Sequence, residues 1–356
     1  MEHYLPKGEP KGGGHRGFAL PGFDREAWMS SEAGKNVGAM KAIAKQYPED
    51  EMADGVLKYW AENGVKKELF DAQGEGKYAV FTPLDLDVRK KYALVYLNHA
   101  GMTPINQYET CGFPMLAGKE KFICVCPWNG GPSNDQVETE FPRILDALKE
   151  RGFPIDWERV YVAGFSAGSD ATGVLTWAYA DRIAAISPSP GANMFLKGRW
   201  YETPDAWNGS HPMPMICVAG TMDGGDRYPL DTQEGIDNYN IWMKQIVKVP
   251  DYEALTLEAS QALGSQSDDP AKQTFGMDFH NTYTLHMEGR RWYVGEYRSE
   301  GVAYARFIMG DGIPHTQTKY HAPLIWDFLK HFRRDTRTGE TVYVPVVIDG
   351  IRDMDD

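Results

Sequence analysis

The sequence lacks the features that mark a membrane-bound or exported chain. No stretch reaches the roughly 18 consecutive apolar residues that a membrane-spanning helix requires. The opening residues, Met1 to Gly8, do not place an apolar run after a positive charge, so they predict no secretory signal. We therefore expect no membrane partner and favour a cytoplasmic location. A leader trimmed from this chain is the alternative, and it would make the protein a secreted one.

Cysteine is scarce, with four residues among 356: Cys111, Cys124, Cys126 and Cys217. A structural zinc site would need C-x-x-C pairs with further ligands, which the sequence does not have, so we expect no metal and no other cofactor. Cys124 and Cys126 lie two apart in an apolar run, which favours buried thiols that act as small hydrophobic groups. Reduced thiols are also typical of cytoplasmic proteins.

Basic residues are fewer than acidic residues. The 37 Lys and Arg residues stand against 50 Asp and Glu residues, for a formal net charge of -13. No basic cluster with interleaved aromatic residues occurs, so nucleic acid is not expected as a partner. The sequence leaves the oligomeric state undetermined.

Short apolar runs that alternate with helical patterns are what the chain does contain. Four of them, at 122–126, 160–163, 183–186 and 215–219, are separated by segments such as 141–151, whose apolar residues fall on one helical face. This alternation predicts an α/β fold, with a mostly parallel central sheet and helices on both faces. Further predicted elements are strands at 77–83, 93–97 and 304–309, a hairpin over 282–297 and a closing helix over 323–332.

The most specific motif is Gly164-Phe165-Ser166-Ala167-Gly168, which lies between the predicted strand 159–163 and the predicted helix 171–179. Gly-x-Ser-x-Gly in that setting is typical of a nucleophile elbow. The turn is so sharp that only small residues fit two positions before and after the serine. It also places the Ser166 hydroxyl at the start of a helix, where the N–H groups favour negative charge.

A serine nucleophile needs a general base, and the base needs a carboxylate that orients it. In the α/β-hydrolase arrangement, they follow the serine in the order acid, then histidine. Asp223 lies just past the end of the predicted strand 215–219 and is the predicted acid, with Asp226 as the alternative.

The predicted general base is His315, because it lies in a loop directly after the strand candidate 304–309. His321, six residues later, is the alternative; either histidine on its own is also typical of a surface or helix-cap residue.

An oxyanion hole completes the predicted site. One donor is expected to be the backbone N–H of Ala167, the residue after the nucleophile. The other is expected from the loop after strand 93–97, in which His99 is interpreted as a structural residue. The candidate donors in that loop are Ala100, Gly101 and Met102.

Four further residues are predicted to contact substrate. Trp128 and Asn129 follow the strand 122–126, Phe165 precedes the nucleophile, and Trp200 lies in a Trp- and Pro-rich segment. For the two tryptophans, packing in the core or in a lid is an equally good interpretation.

These motifs resemble those of α/β-hydrolase esterases of the polyhydroxybutyrate-depolymerase and feruloyl-esterase type. The resemblance rests on Ala163 to Ser169, on Ala219 to Asp223 with Tyr228, on Tyr239 to Trp242, and on His315-Thr316 with Ile325 to Phe328. It covers residues 75–333 and implies a serine esterase with the triad Ser166, Asp223 and His315. The sequence departs from the usual His-Gly of the family's oxyanion loop, since it reads His99-Ala100-Gly101.

The predicted organisation has three parts. Residues 1–70 form an N-terminal arm and helical extension, 71–335 the α/β-hydrolase catalytic domain, and 336–356 a C-terminal tail. The domain carries excursions near 192–214 and 250–280, and the second is read as a loop or a short helical insertion.

The expected activity is hydrolysis of a small-molecule or polymer-linked carboxylic ester through an acyl-enzyme. One alternative keeps the triad but acts as a peptidase or acyltransferase. The other, from a different class, is a non-catalytic hydrolase-like binding protein.

Overall fold

The computed structural model describes residue 52 and residues 54–71, 77–98, 112–127, 134–189, 209–223, 228–287 and 289–353. Within these ranges the helices are α1 Asp54–Glu62, α2 Phe113–Glu120, α3 Asn134–Glu150, α4 Ala167–Ala178, α5 Gln233–Ile241, α6 Leu257–Gln266, α7 Pro270–Phe275 and α8 His321–Leu329. The strands are β1 Val65–Asp71, β2 Lys77–Pro83, β3 Lys90–Asn98, β4 Ile123–Pro127, β5 Ile155–Phe165, β6 Ala185–Ser189, β7 Met215–Met222, β8 Asn281–Met287, β9 Arg290–Ser299, β10 Val302–Pro314, β11 Phe332–Arg334, β12 Thr341–Tyr343 and β13 Ile351–Asp353.

Eleven of these strands form one sheet in the order β1-β2-β4-β3-β5-β6-β7-β10-β9-β8, with β13 paired to β3. The centre is parallel, from β4 through β3, β5, β6 and β7 to β10. Antiparallel strands flank it on both sides. The predicted mostly parallel sheet is therefore confirmed, and the carboxyl ends of its central strands meet at one edge, where open α/β sheets place their sites.

Successive residues of β3 show why both faces of the sheet are covered. Leu94 and Tyr96 belong to a buried cluster that includes residues of α3 and α4. Val95 and Leu97 point the other way, into a cluster with residues of α2 and α8. Because side chains alternate along a strand, an unbroken apolar run needs an apolar partner layer on each side.

The sheet extends beyond residues 71–335 at both ends. β1 begins at Val65, and β13 pairs with β3 through Ile351 to Asp353. Buried Asp156 holds β13 in place, since it pairs with Arg159 at 2.7 Å and with Arg352 at 3.2 Å.

Other boundaries also differ from the prediction or refine it. The closing helix ends at Leu329, and Phe332 starts β11, where its carbonyl accepts a hydrogen bond from the Tyr161 hydroxyl at 2.7 Å. The 250–280 insertion is helical, formed by α6 and α7. Most of the predicted arm lies outside the described residues, which include only 52 and 54–70 of it. The 190–208 part of the first excursion also lies outside them.

Cys124, Cys126 and Cys217 are buried thiols, as expected, while Cys111 lies outside the described residues. No helix in the described ranges is long and apolar enough to cross a membrane. The location of the protein stays a prediction.

Candidate active site

Ser166 occupies a strained turn between the last residue of β5 and the first residue of α4. Its backbone has φ 56° and ψ -118°, a conformation that residues other than glycine rarely adopt. The Ser166 N–H donates to the carbonyl of Ser189, at the end of the neighbouring strand β6, at 3.0 Å. Strain of this kind persists only where surrounding contacts enforce it, and it is concentrated at functional sites.

Gly164 permits this turn, because β5 and α4 approach closely at that residue. A Cβ atom there would overlap the backbone of Gly168 and lie 2.7 Å from Oγ1 of Thr172. The Thr172 hydroxyl in turn donates to the Gly168 carbonyl at 2.8 Å. The glycine expected from the motif is therefore required by the contact between strand and helix.

Three side chains from separate loops meet at the carboxyl edge of the sheet. Nε2 of His315 lies 2.9 Å from Oγ of Ser166, and Nδ1 of His315 lies 2.8 Å from Oδ2 of Asp223. The side chains of His315 and Asp223 are only 10% and 2% exposed. Because the carboxylate accepts, Nδ1 carries the proton and Nε2 is left as the acceptor for the serine hydroxyl.

This arrangement can activate a serine hydroxyl. The imidazole is oriented to take the Ser166 proton, and the buried carboxylate stabilises the imidazolium that results. The three predicted residues are thus brought together, with the geometry that nucleophilic catalysis requires.

The alternative base, His321, has a different environment at the first residue of α8. It is 1% exposed, and its Nδ1 accepts the Thr318 N–H at 2.9 Å. Burial lowers the pKa of His321 to about 4, which keeps the ring neutral. Its contacts are those of a core residue that fixes the 318–321 turn. The alternative acid, Asp226, lies outside the described residues.

Burial of His321 predicts a pH-dependent stability. In the unfolded chain the His321 ring takes up a proton near pH 6.5, and in the folded chain it does so only near pH 4. The free energy of unfolding should therefore fall as the pH drops between these values. The difference corresponds to about 3 kcal/mol, which is fully present above pH 6.5. Urea unfolding at pH 7 and pH 4.5 measures it.

The matched variant is His321→Asn, whose side-chain oxygen retains an acceptor for the Thr318 N–H. We expect its stability to fall less between the two pH values than that of the wild type. An equal fall in both proteins would show that His321 is not the group responsible.

The described ranges include only some of the residues predicted to bind the oxyanion or the substrate. Ala167 is the first residue of α4, so its N–H is among those that a helix leaves without an intrahelical acceptor. The ring of Phe165 packs against that of His315, with centroids 4.8 Å apart. Six predicted residues lie outside the described ranges: Ala100, Gly101, Met102, Trp128, Asn129 and Trp200.

The sequence motifs did not point to Asn98, which ends β3 immediately before the predicted oxyanion loop. It is 4% exposed, and its amide donates to Oγ1 of Thr172 at 3.2 Å. It therefore joins the end of β3 to the helix that follows the nucleophile. The sequence did contain a signal for Asn98, because this polar residue directly follows an apolar run at the end of the strand.

Within the described residues, no three His, Cys, Asp or Glu side chains come together in a way that could hold a metal ion.

The sheet order and the Ser–His–Asp geometry together define the class: the chain has the α/β-hydrolase fold. No family model matches the sequence. The bifunctional acetylxylan esterase/xylanase XynS20E of Neocallimastix patriciarum is 30% identical over 168 residues, which is 45% of this chain. The chain spans 23% of the length of that relative. The match confirms the resemblance to α/β-hydrolase esterases.

Two solved structures to which the chain is similar are esterases. The acetyl xylan esterase from Aspergillus awamori is 15% identical, with a TM-score of 0.46, and the match covers 74% of this chain and 98% of that one. The CE1 ferulic acid esterase from Anaeromyces mucronatus is 19% identical, with a TM-score of 0.36, and the match covers 51% of this chain and 78% of that one.

Proposed function

We propose that this protein is a serine hydrolase that cleaves carboxylic esters through an acyl-enzyme on Ser166. The observation that carries the proposal is the continuous hydrogen-bonded line from Ser166 through His315 to Asp223. Ser166 is the nucleophile, His315 the general base and acid, and Asp223 the group that orients the imidazole.

Acylation follows from that geometry. Oγ of Ser166 attacks the ester carbonyl carbon while its proton passes to Nε2 of His315, 2.9 Å away. The carbonyl oxygen becomes an oxyanion, for which the N–H of Ala167 at the start of α4 is the proposed donor. When the tetrahedral intermediate collapses, His315 returns the proton to the leaving alcohol, and the acyl group stays on Ser166.

Deacylation uses the same groups with water in place of the alcohol. His315 removes a proton from the water, whose oxygen attacks the acyl carbon, and the bond to Oγ breaks. The proton returns to Ser166, and the carboxylic acid leaves. The second oxyanion donor is proposed to come from Ala100 or Gly101.

The substrate class we propose is a feruloyl, aryl or acetyl-type ester, either small or linked to a polymer. The similarity to an acetylxylan esterase/xylanase supports an acyl ester on a polysaccharide as a member of this class. Trp128, Asn129, Phe165 and Trp200 are the proposed contacts, and the Phe165 ring already lies against the base.

A fluorophosphonate probe tests the nucleophile, and a substrate panel tests the bond. We expect a single adduct on Ser166 by mass spectrometry, and turnover of p-nitrophenyl acetate, acetylated xylan or methyl ferulate. An amide analogue of each active ester should react far more slowly. Parallel rates on amides would favour a peptidase, and a folded protein that is neither labelled nor active would favour the binding protein.

A further inference from the structure

The strand that leads to His315 contains an irregularity directly before the histidine. Along β10 and β7, Gly310 pairs with Gly220 and Pro314 pairs with Met222. Three residues of β10, at 311–313, thus lie opposite one residue of β7, Thr221, so β10 carries two extra residues. We call residues 311–313 the bulge. Bulges bend a strand and redirect the side chains that follow it, and they are common beside active sites.

The bulge has its own conformational requirement. Gly312 has φ +68°, in the left-handed region that favours glycine, while the neighbouring Ile313 side chain is fully buried. His315 follows only two residues after Ile313, so the path of the bulge determines where the imidazole lies.

One contact ties the bulge to the loop that carries the acid. The N–H of Gly312 donates to Oγ1 of Thr221 at 2.8 Å. Thr221 lies two residues before Asp223, at the end of β7. This hydrogen bond therefore adds a side-chain link, at the bulge, between the segment that carries the acid and the segment that carries the base.

A second contact holds the bulge from the β8–β9 hairpin. Nη1 of Arg290 lies 3.0 Å from the carbonyl oxygen of Asp311 and 3.4 Å from that of Gly312. The next residue, Arg291, contacts the Asp311 carboxylate at 2.8 Å, in an ion pair whose side chains are 58% and 39% exposed, and its guanidinium lies 5.6 Å from the centre of the Tyr293 ring. The two arginines thus differ in what they hold, although they are adjacent and identical in type.

We propose that Thr221 and Arg290 are positioning residues, which hold the bulge so that His315 reaches Ser166 and Asp223 together. Neither residue touches the reacting atoms. They act through the backbone of the bulge, Thr221 by accepting from it and Arg290 by donating to it. This inference rests on the proposed function of the triad.

The test compares Thr221→Val and Arg290→Met with two matched variants. Thr221→Val keeps the shape of the side chain but leaves the Gly312 N–H without its acceptor. We expect each of the two variants to lower kcat by about tenfold, with KM nearly unchanged, because a small displacement of a catalytic group is costly. The rate of fluorophosphonate labelling of Ser166 should fall in parallel.

The matched variants separate positioning from general weakening of the fold. Thr221→Ser restores the acceptor and should recover most of the lost kcat. Arg291→Met removes an exposed ion pair and should stay within about twofold of the wild type. All rates are corrected for the folded fraction measured by thermal unfolding.

Two results would overturn the inference: unchanged kcat and labelling in both Thr221→Val and Arg290→Met, or a rise in KM at constant kcat. The wild type and Ser166→Ala are measured alongside. If wild-type labelling at Ser166 fails, the proposed function itself is wrong; if it succeeds while the positioning variants stay active, only this inference is wrong.

Discussion

Replacing Ser166 with alanine is expected to lower kcat for ester hydrolysis by about four to six orders of magnitude. The hydroxyl 2.9 Å from Nε2 of His315 is the atom that forms the proposed acyl-enzyme, and alanine has no group that can replace it. Donors that stabilise the oxyanion remain, so a small residual rate above that of water is expected. The measurement is turnover of p-nitrophenyl acetate.

The matched control is Ser169→Ala, three residues later, in the first turn of α4. Ser169 is fully buried, and its hydroxyl has no hydrogen-bond partner among the described residues. Its loss is therefore expected to leave turnover intact. Near-ultraviolet circular dichroism should show the same tertiary packing in both variants. Wild-type rates in Ser166→Ala would remove the serine from the mechanism, whatever bond the protein cleaves.

The triad could be predicted from sequence because each of its members directly follows a strand. Ser166, Asp223 and His315 come after the strands β5, β7 and β10, and the carboxyl ends of parallel strands meet at one edge. The positions of the predicted strands in the sequence were therefore enough to predict that these three distant residues meet. It also separated His315 from His321, since only the former follows a strand without a helix start between them.

The bulge before His315 was not predicted, because Gly312 alone does not specify it and the contacts that hold it are distant in sequence. Its contacts come from Arg290, 21 residues earlier, and from Thr221, 91 residues earlier. The pairing of β13 with β3 was missed for a similar reason. That strand has three residues, and its position depends on the ion pair between Arg352 and Asp156, almost 200 residues away in sequence.

The expected effect of Asp223→Asn is a fall in kcat of about ten thousandfold. The carboxylate now accepts the Nδ1 proton of His315 at 2.8 Å and is 2% exposed, so little water is available to replace it. An asparagine that presents its N–H to Nδ1 forces the proton onto Nε2, where it blocks acceptance from Ser166. An asparagine that presents its oxygen keeps the tautomer but provides no negative charge for the imidazolium.

Asp226→Asn is the control, because the sequence offers that residue as the alternative acid. We expect it to retain turnover of the best ester in the panel, while Asp223→Asn loses it at every pH from 6 to 9. The reverse ranking would assign the acid to Asp226 and make the 2.8 Å contact of Asp223 a structural one. Since aspartate and asparagine have nearly the same volume, a loss confined to Asp223→Asn reports the charge and the proton position rather than packing.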